Sequence, residues 1–413
     1  MITLIENVSL LYGTELQLIE NGWIQIENGR ITYAGERKSS SKDVSKETFN
    51  GRGLLAIPGL INAHTHIGDS IAKDIGIGST LRELVHPIYG LKTRILEEAK
   101  EEQLRQAITE TASDMLACGI TTFADFREGG LKGVSDVLHN LPEKRPHAMI
   151  LCRPDHYFTP EQIADDERTM PPSVLDELRQ ALNMCDGLGL SGPNEYTGEA
   201  MEQMSQLAKR QEKIVAIHAA ESRDSQEFSL DNFSAPEVRR VLRHMKPDFL
   251  VHLTNSTDEE LIEVGSSKIP VVCCPRANSI LGLGFPPITQ LLRFGVMVAL
   301  GTDNVMLNAP DMFREMDYTS RTIRAVQREP DAVNSRDILK MTTINAAEAL
   351  GLGSTTGSLQ EGKKADITFL NLNAPNLNLS KDLITSVVHR ARSDNVECVI
   401  VEGQIVHGSL ART

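Results

Sequence analysis

Short apolar runs alternate with amphipathic stretches through the middle of the chain. From Pro58 to about Leu350, eight such runs fit buried strands, and the stretches between them have the three- and four-residue spacing of helices. The predicted strands span residues 60–63, 120–125, 147–152, 187–191, 214–217, 249–251, 269–273 and 296–300. Eight successive β/α units predict an α/β protein with a (β/α)8 TIM barrel.

Helix signals lie between these strands. The clearest amphipathic helix is predicted from about residue 93 to residue 118, and Gly119 supplies its stop. Two capping-box patterns, Ser234 with Glu237 and Thr257 with Glu260, predict the starts of two further helices.

Both ends of the chain have strand-and-turn character instead. Asn28-Gly29 between two alternating segments predicts a hairpin, and residues 357–370 and 396–406 return to the same pattern. A lone hairpin is marginal in water, so we expect the two ends to combine into one small β-sandwich. The predicted domains are residues 1–57 and 351–413, which share this sandwich, and the barrel at 58–350. The polar segment 38–43 is predicted to be a surface loop.

Composition narrows the functional classes. The formal charge of −14 argues against nucleic acid or an acidic membrane as the main partner, since both attract basic surfaces. None of the six cysteines forms a CxxC pair, which favours free thiols in a reducing compartment. We find no signal-peptide pattern and no run of about 18 apolar residues, so we expect a soluble cytoplasmic protein.

Candidate metal ligands stand at the ends of the predicted strands. His64 and His66 are two residues apart, so their side chains point to one side of a strand, roughly 6–7 Å apart. His218, His252 and Asp303 each end or follow a later apolar run. Because strand ends meet at one face of a barrel, these five side chains are predicted to form a single site.

These residues resemble the amidohydrolase superfamily over essentially the whole chain. The similar segments are Pro-Gly-Leu-Ile-Asn-Ala-His-Thr-His at 58–66, His-Ala-Ala-Glu at 218–221, His252, Leu-Gly-Thr-Asp at 300–303 and the segment 357–370. Glu221, three residues after His218, and the segment 274–284 resemble the branch of S-adenosylhomocysteine/methylthioadenosine, cytosine and guanine deaminases and related chlorohydrolases. Binuclear members place a carboxylated lysine at the end of strand four, where residues 187–191 have none, so one metal ion is implied.

The residue types suggest a role for each member of the site. One divalent ion would be held by His64, His66, His218 and Asp303, a set that suits zinc, with iron or manganese as alternatives. Such an ion lowers the pKa of bound water from 15.7 towards about 7. Asp303 and His252 are expected to orient this water, and Glu221 to carry its proton to a ring nitrogen and then to the leaving amine. The alternatives are a packed core histidine at 252 and a solvated carboxylate at 221.

Loop residues after the strands are candidates for substrate binding. Charged loop residues are often simply solvated, so this alternative stays open for each of them. The candidates are His86, Arg127, Glu128, Arg153, His156 and Asn194. Segments 67–70 and 81–87 differ from the pattern of the nucleoside deaminases.

The leading hypothesis is therefore hydrolytic deamination of an amino-substituted nitrogen heterocycle of nucleobase, nucleoside or pterin type. The alternative within enzymes is hydrolysis of an amide, a cyclic amidine or a carbon–chlorine bond. A non-enzymatic scaffold is a third possibility, against which the intact ligand set argues. The expected partner is a small-molecule substrate, and the resemblance implies a homo-oligomer.

Overall fold

The computed structural model of the chain describes residues 2–36, 46–86 and 88–413. The predicted surface loop at 38–43 lies outside the described residues.

The strands fall into three groups: those before the barrel, those that form it and those after it. Those before it are β1 Ile2–Tyr12, β2 Gln17–Glu27, β3 Arg30–Gly35, β4 Lys46–Asn50 and β5 Leu54–Pro58. Those of the barrel are β6 Leu60–His66, β7 Ile120–Arg127, β8 His147–Cys152, β9 Gly187–Leu190, β10 Ile214–Ala219, β11 Phe249–His252, β12 Val271–Cys273, β13 Val298–Leu300 and β14 Asp303–Asn304. Those after it are β15 Ile367–Asn371, β16 Val396–Val401, β17 Gln404–Gly408 and β18 Ala411–Arg412.

The barrel strands pair in parallel and in chain order from β6 to β13, and β14 closes the ring by pairing with β6. The predicted (β/α)8 barrel is confirmed. The eighth strand is broken at Gly301, between β13 and β14. A Cβ atom at Gly301 would lie 2.7 Å from the Cβ of His64 and 2.8 Å from its backbone nitrogen, so only glycine allows this crossing.

Helices lie between the barrel strands along the chain and pack around the barrel. In chain order they are α1 Leu81–Val85, α2 Leu91–Glu98, α3 Glu101–Ala117, α4 Gly130–Asn140, α5 Pro160–Ile163, α6 Pro172–Met184, α7 Gly198–Arg210, α8 Arg223–Phe233, α9 Glu237–His244, α10 Asp258–Ser267, α11 Pro275–Ile280, α12 Ile288–Arg293, α13 Met312–Gln327, α14 Ser335–Met341, α15 Ile344–Ala349 and α16 Leu383–Arg390. Short 3-10 helices occupy Ile67–Ala72, Pro193–Glu195 and Ser393–Asn395. No helix in the described part of the chain is long and apolar enough to cross a membrane.

Two helix predictions need correction. The single helix predicted over 93–118 is two helices, α2 and α3, because Ala99 and Lys100 adopt extended backbone angles between them. Ser234 does not cap a helix start: it ends α8 in the left-handed conformation, and α9 begins after Pro236. The Thr257 capping box is confirmed, with both of its hydrogen bonds formed.

The two ends of the chain share one mixed sheet, in the order β17-β16-β15-β5-β1-β2-β3, with β4 paired to β1 and β18. Both predicted hairpins form, and their turns place Asn28 and Glu402 in the left-handed region. Side chains from both ends pack in a core separate from the barrel core, among them Ile24 and Phe369. The exact domain limits at 57/58 and 350/351 stay a prediction.

Candidate active site

Four side chains converge at the C-terminal mouth of the barrel. His64 and His66 end β6, His218 lies near the end of β10, and Asp303 begins β14. The Nε2 atom of His64 lies 3.2 Å from the Nε2 atom of His218 and 3.3 Å from Oδ1 of Asp303. The Nε2 atom of His66 lies 3.5 Å from the same carboxylate oxygen. The predicted convergence is therefore present.

The donor set fits a divalent cation. His218 donates its Nδ1–H to the carbonyl oxygen of Leu190 at 2.8 Å, so the lone pair on its Nε2 faces the cluster. Oδ2 of Asp303 is buried and has no hydrogen-bond partner in the described structure. Nε2 atoms of His64 and His218 that lie 3.2 Å apart, with the Asp303 carboxylate 3.3 Å from His64, are explained when a cation lies between them.

Burial keeps His64 and His218 in the neutral form that binds metal. It lowers the pKa of His64 to about 3 and the pKa of His218 well below its ordinary value. Burial alone would raise the pKa of Asp303, but its hydrogen bond to His64 and the neighbouring histidines hold that pKa below its ordinary value. Neutral imidazoles and an ionised carboxylate are the protonation states that a metal ion requires.

His252 and Glu221 face each other beside this cluster. Asn278 donates its amide Nδ2–H to Nδ1 of His252 at 3.1 Å, while its carbonyl oxygen accepts from Thr254 at 3.0 Å. A neutral His252 then carries its proton on Nε2, which is buried and 3.7 Å from Oε1 of Glu221. Burial, followed by the charge of Asp303, raises the pKa of Glu221 to about 8. This carboxyl group can therefore hold a proton near neutral pH.

Backbone strain is concentrated at the same strand ends. Ala220, His252 and Asp303 have φ angles of 48°, 76° and 60°, in the left-handed region that residues with a Cβ rarely adopt. Such strain persists where the surrounding structure imposes it, and it is frequent at active sites.

A cavity of about 740 Å³ opens beside the cluster. It is lined by predicted metal ligands and catalytic residues, namely His66, His218, Glu221, His252 and Asp303. His64 is fully buried beneath them.

Three of the six predicted substrate residues line this cavity, namely Arg127, Glu128 and Arg153. Glu128 accepts hydrogen bonds from Arg127 at 2.7 Å and from the Nδ1 atom of His66 at 3.1 Å. Arg153 donates to Ser191 at 2.6 Å, but its Nε atom is buried without a partner in the described structure.

The other three candidates lie outside the cavity lining. His86 stacks on Tyr89 with 3.5 Å between ring centroids, and His156 packs edge-on against Phe158. Asn194 donates to Glu237 and to the backbone of Ser225, so its amide protons are used within the fold. The structure therefore does not bring these three side chains to the site.

Sequence reasoning missed two residues that support the site, Lys92 and Asn278. Lys92 stands at the start of α2, next to a segment predicted to be an outer helix, yet it is only 5% exposed and lines the cavity. Asn278 lies inside a segment that carried the family resemblance, but no role was predicted for it. Neither has a local signal, because each acts on a group distant in the sequence.

Residues 55–406 match the amidohydrolase family. A protein of Methanothermobacter thermautotrophicus with a provisional aminohydrolase name is 35% identical over 410 residues, covering 97% of this chain and 98% of that protein. The 5-methylthioadenosine/S-adenosylhomocysteine deaminase of Thermoanaerobacter pseudethanolicus is 28% identical over 436 residues, covering 98% and 93%.

Solved structures share the fold at lower identity. The atrazine chlorohydrolase of Arthrobacter aurescens in complex with zinc has a TM-score of 0.84 and 20% identity, covering 99% of this chain and 96% of that one. An adenosine deaminase of Xanthomonas campestris with bound zinc has a TM-score of 0.81 and 21% identity, covering 99% and 93%. With the family match over most of its length and the strand-end site in a complete barrel, the chain belongs to the amidohydrolase family of hydrolases.

Proposed function

We propose that the protein is a metal-dependent deaminase that hydrolyses the exocyclic amine of a nitrogen heterocycle of nucleobase, nucleoside or pterin type. The observation that carries this proposal is the position of Glu221, a carboxyl group that can hold a proton in the wall of the cavity, beside the metal-ligand cluster. Deamination needs such a group, because an amine leaves poorly until it is protonated.

In this proposal His64, His66, His218 and Asp303 hold one divalent ion. Zinc suits three imidazoles and a carboxylate, and it is the ion bound in both solved structures named above. When bound, the ion supplies Lewis acidity that lowers the pKa of a water molecule towards about 7.

The chain's own groups would then move the protons. Asp303 accepts a hydrogen bond from the attacking water, and Nε2–H of His252 holds that water's oxygen in line with the reacting carbon. The Glu221 carboxylate would take one proton from the water and deliver it to the ring nitrogen while the water oxygen bonds to the carbon that carries the amine. Glu221 next transfers the water's second proton to the amine, the carbon–nitrogen bond breaks, and ammonia leaves.

Substrate recognition is assigned to the cavity walls. Its volume of about 740 Å³ is ample for a bicyclic ring with a substituent. The unpartnered Nε–H of Arg153 is a donor available to a substrate acceptor, whereas the oxygens of Glu128 are already hydrogen-bonded within the protein. Of the cavity-lining candidates Arg127, Glu128 and Arg153, Arg153 is therefore the proposed substrate contact.

Glu221→Gln gives the direct test. The amide preserves shape and cannot donate and recover a proton as the acid does, so kcat should fall about 10²–10⁴-fold or more while the bound metal remains. Ammonia release from a library of amino-substituted heterocycles would be measured for wild type and variant, with metal content determined on both. Glu98→Gln, which removes the same charge from an exposed site on α2, serves as the matched control.

The outcomes separate the alternatives. Turnover of Glu221→Gln within about tenfold of wild type would refute the proton-transfer role, and loss of its metal would make Glu221 a ligand. Chloride release from a chlorinated heterocycle without ammonia release from any amine would replace deamination by carbon–chlorine hydrolysis. We also propose a homo-oligomer in the cytoplasm, a location that the six free, buried cysteines support.

A further inference from the structure

Lys92 makes an unusual set of contacts for a buried lysine. Its side chain is 6% exposed, and its Nζ atom forms an ion pair with Oε1 of Glu128. Nζ also lies 3.4 Å from Oδ2 of Asp69 and 3.4 Å from Oδ1 of Asn304. Of these three oxygens, Oδ2 of Asp69 is within ion-pair distance but accepts no hydrogen bond in the described structure. Lys92 therefore lines the cavity with its ammonium group held among two carboxylates and an amide oxygen of the protein.

Two of these three acceptors contact residues of the metal-ligand cluster. Oε1 of Glu128 is 3.1 Å from Nδ1 of His66, and Nδ2 of Asn304 donates to Oδ1 of Asp303 at 3.1 Å. His66 and Asp303 are thus joined by a continuous polar chain through Glu128, Lys92 and Asn304. Its members come from three separate strand ends and from α2.

We propose that Glu128 and Lys92 are positioning residues that support the metal centre from outside its ligands. The Nδ1–H of His66 is shared between Oε1 of Glu128 and the backbone oxygen of Phe126, each at 3.1 Å, which leaves the lone pair of His66 on Nε2. Glu128 is the acceptor of the two that carries a negative charge. Lys92 holds Glu128 and Asn304 in place, and Arg127 occupies the second carboxylate oxygen of Glu128 at 2.7 Å. Partners of this kind raise the basicity of a histidine ligand and reduce its freedom to rotate.

A purely structural role makes a different prediction. An ion pair that only held α2 against the barrel would contribute to folding and leave metal affinity unchanged. Glu128 is the charged one of the two acceptors at Nδ1 of His66, so the proposal expects metal affinity to depend on it. Losing an outer partner of a ligand typically weakens metal binding about 10–100-fold. The inference rests on the metal-binding part of the proposed function and does not depend on which substrate is hydrolysed.

The test is zinc affinity, measured by titrating the metal-free full-length protein against a competing chelator. We expect Glu128→Gln to bind zinc about 10–100-fold more weakly than wild type. We expect Lys92→Met to weaken zinc binding as well. In the double variant Lys92→Met/Glu128→Gln, the loss of zinc-binding free energy should be no larger than the sum of the losses in the two single variants. The visible spectrum of the cobalt-substituted proteins gives a second readout, since a reoriented His66 changes the ligand field.

Controls keep folding separate from metal binding. Lys92→Met leaves the buried carboxylate of Glu128 short of a partner, so it can fail to fold; the neutral double variant then takes its place. Asp166→Asn removes the negative charge of the carboxylate that pairs with the buried Arg240 at 2.8 Å, far from the cluster in sequence and outside the cavity lining. It should lower stability and leave zinc affinity unchanged.

Zinc affinity of Glu128→Gln or of the folded double variant within about twofold of wild type overturns the inference. A wild-type protein that binds no divalent metal overturns the proposed function itself, which is a separate outcome. If Lys92→Met folds and binds zinc as tightly as wild type, Lys92 supports only the fold, and its place in the proposal is wrong.

Discussion

Replacing Gly301 by alanine should loosen the metal site without removing any ligand. The added Cβ atom would lie 2.7 Å from the Cβ of His64, 2.8 Å from its backbone nitrogen and 2.9 Å from its backbone oxygen. Ordinary van der Waals contact begins near 3.4 Å, so the two strands must separate by about 0.5–0.7 Å. The clashing atoms belong to the backbone and to Cβ, which cannot rotate away.

This displacement reaches or exceeds what a metal site tolerates, about 0.5 Å in ligand position. Asp303 lies two residues beyond Gly301 and approaches His64 at 3.3 Å, so the change separates one ligand from another. We expect about 10–100-fold weaker zinc binding, together with about 1–3 kcal/mol lower free energy of unfolding from overpacking. Chelator competition measures the first quantity, and denaturant unfolding of the metal-free protein measures the second.

Gly192→Ala is the matched control. A Cβ atom there would meet nothing within 4 Å, and the backbone is extended, so the same chemical change should alter neither quantity. If Gly301→Ala kept wild-type zinc affinity and stability, the close crossing of the eighth and first strands would not constrain the site, and the reasoning would be refuted.

Three further predictions follow from other parts of the molecule. His64→Ala or His218→Ala should lose tightly bound metal together with activity, and full metal occupancy with normal turnover would show that the ligand assignment is wrong. Deletion of residues 357–413 should give insoluble protein, because β5 and β4 lose their partners β15 and β18; a soluble, monodisperse product would contradict this. Burial raises the pKa of Glu237 from 4.5 to about 7, so the folded protein keeps a proton that the unfolded chain releases at lower pH. Stability should therefore fall as pH rises from about 4.5 to 7, and denaturant unfolding of Glu237→Gln should show a weaker fall.

Local signals determined most of the fold. The apolar runs predicted eight barrel strands close to their observed bounds, because a buried parallel strand is continuously apolar. Turn chemistry located the hairpins at Asn28-Gly29 and Glu402-Gly403, since few residues accept the left-handed backbone there. The helix predicted over 93–118 was wrong at Ala99, where helical spacing continues in the sequence and the backbone does not.

The sequence by itself also determined which side chains form the candidate metal site, because strand ends of a barrel meet at one face and five metal-binding or acid–base residues stood at such ends. Only the tertiary structure decided what surrounds them. His156 and Asn194 follow strands β8 and β9, and Arg153 also follows β8, yet only Arg153 lines the cavity. Lys92 reaches the site from a helix that its sequence would leave in solvent. Contacts of this kind depend on how segments distant in the sequence pack together, so they cannot be predicted from the residues of one segment.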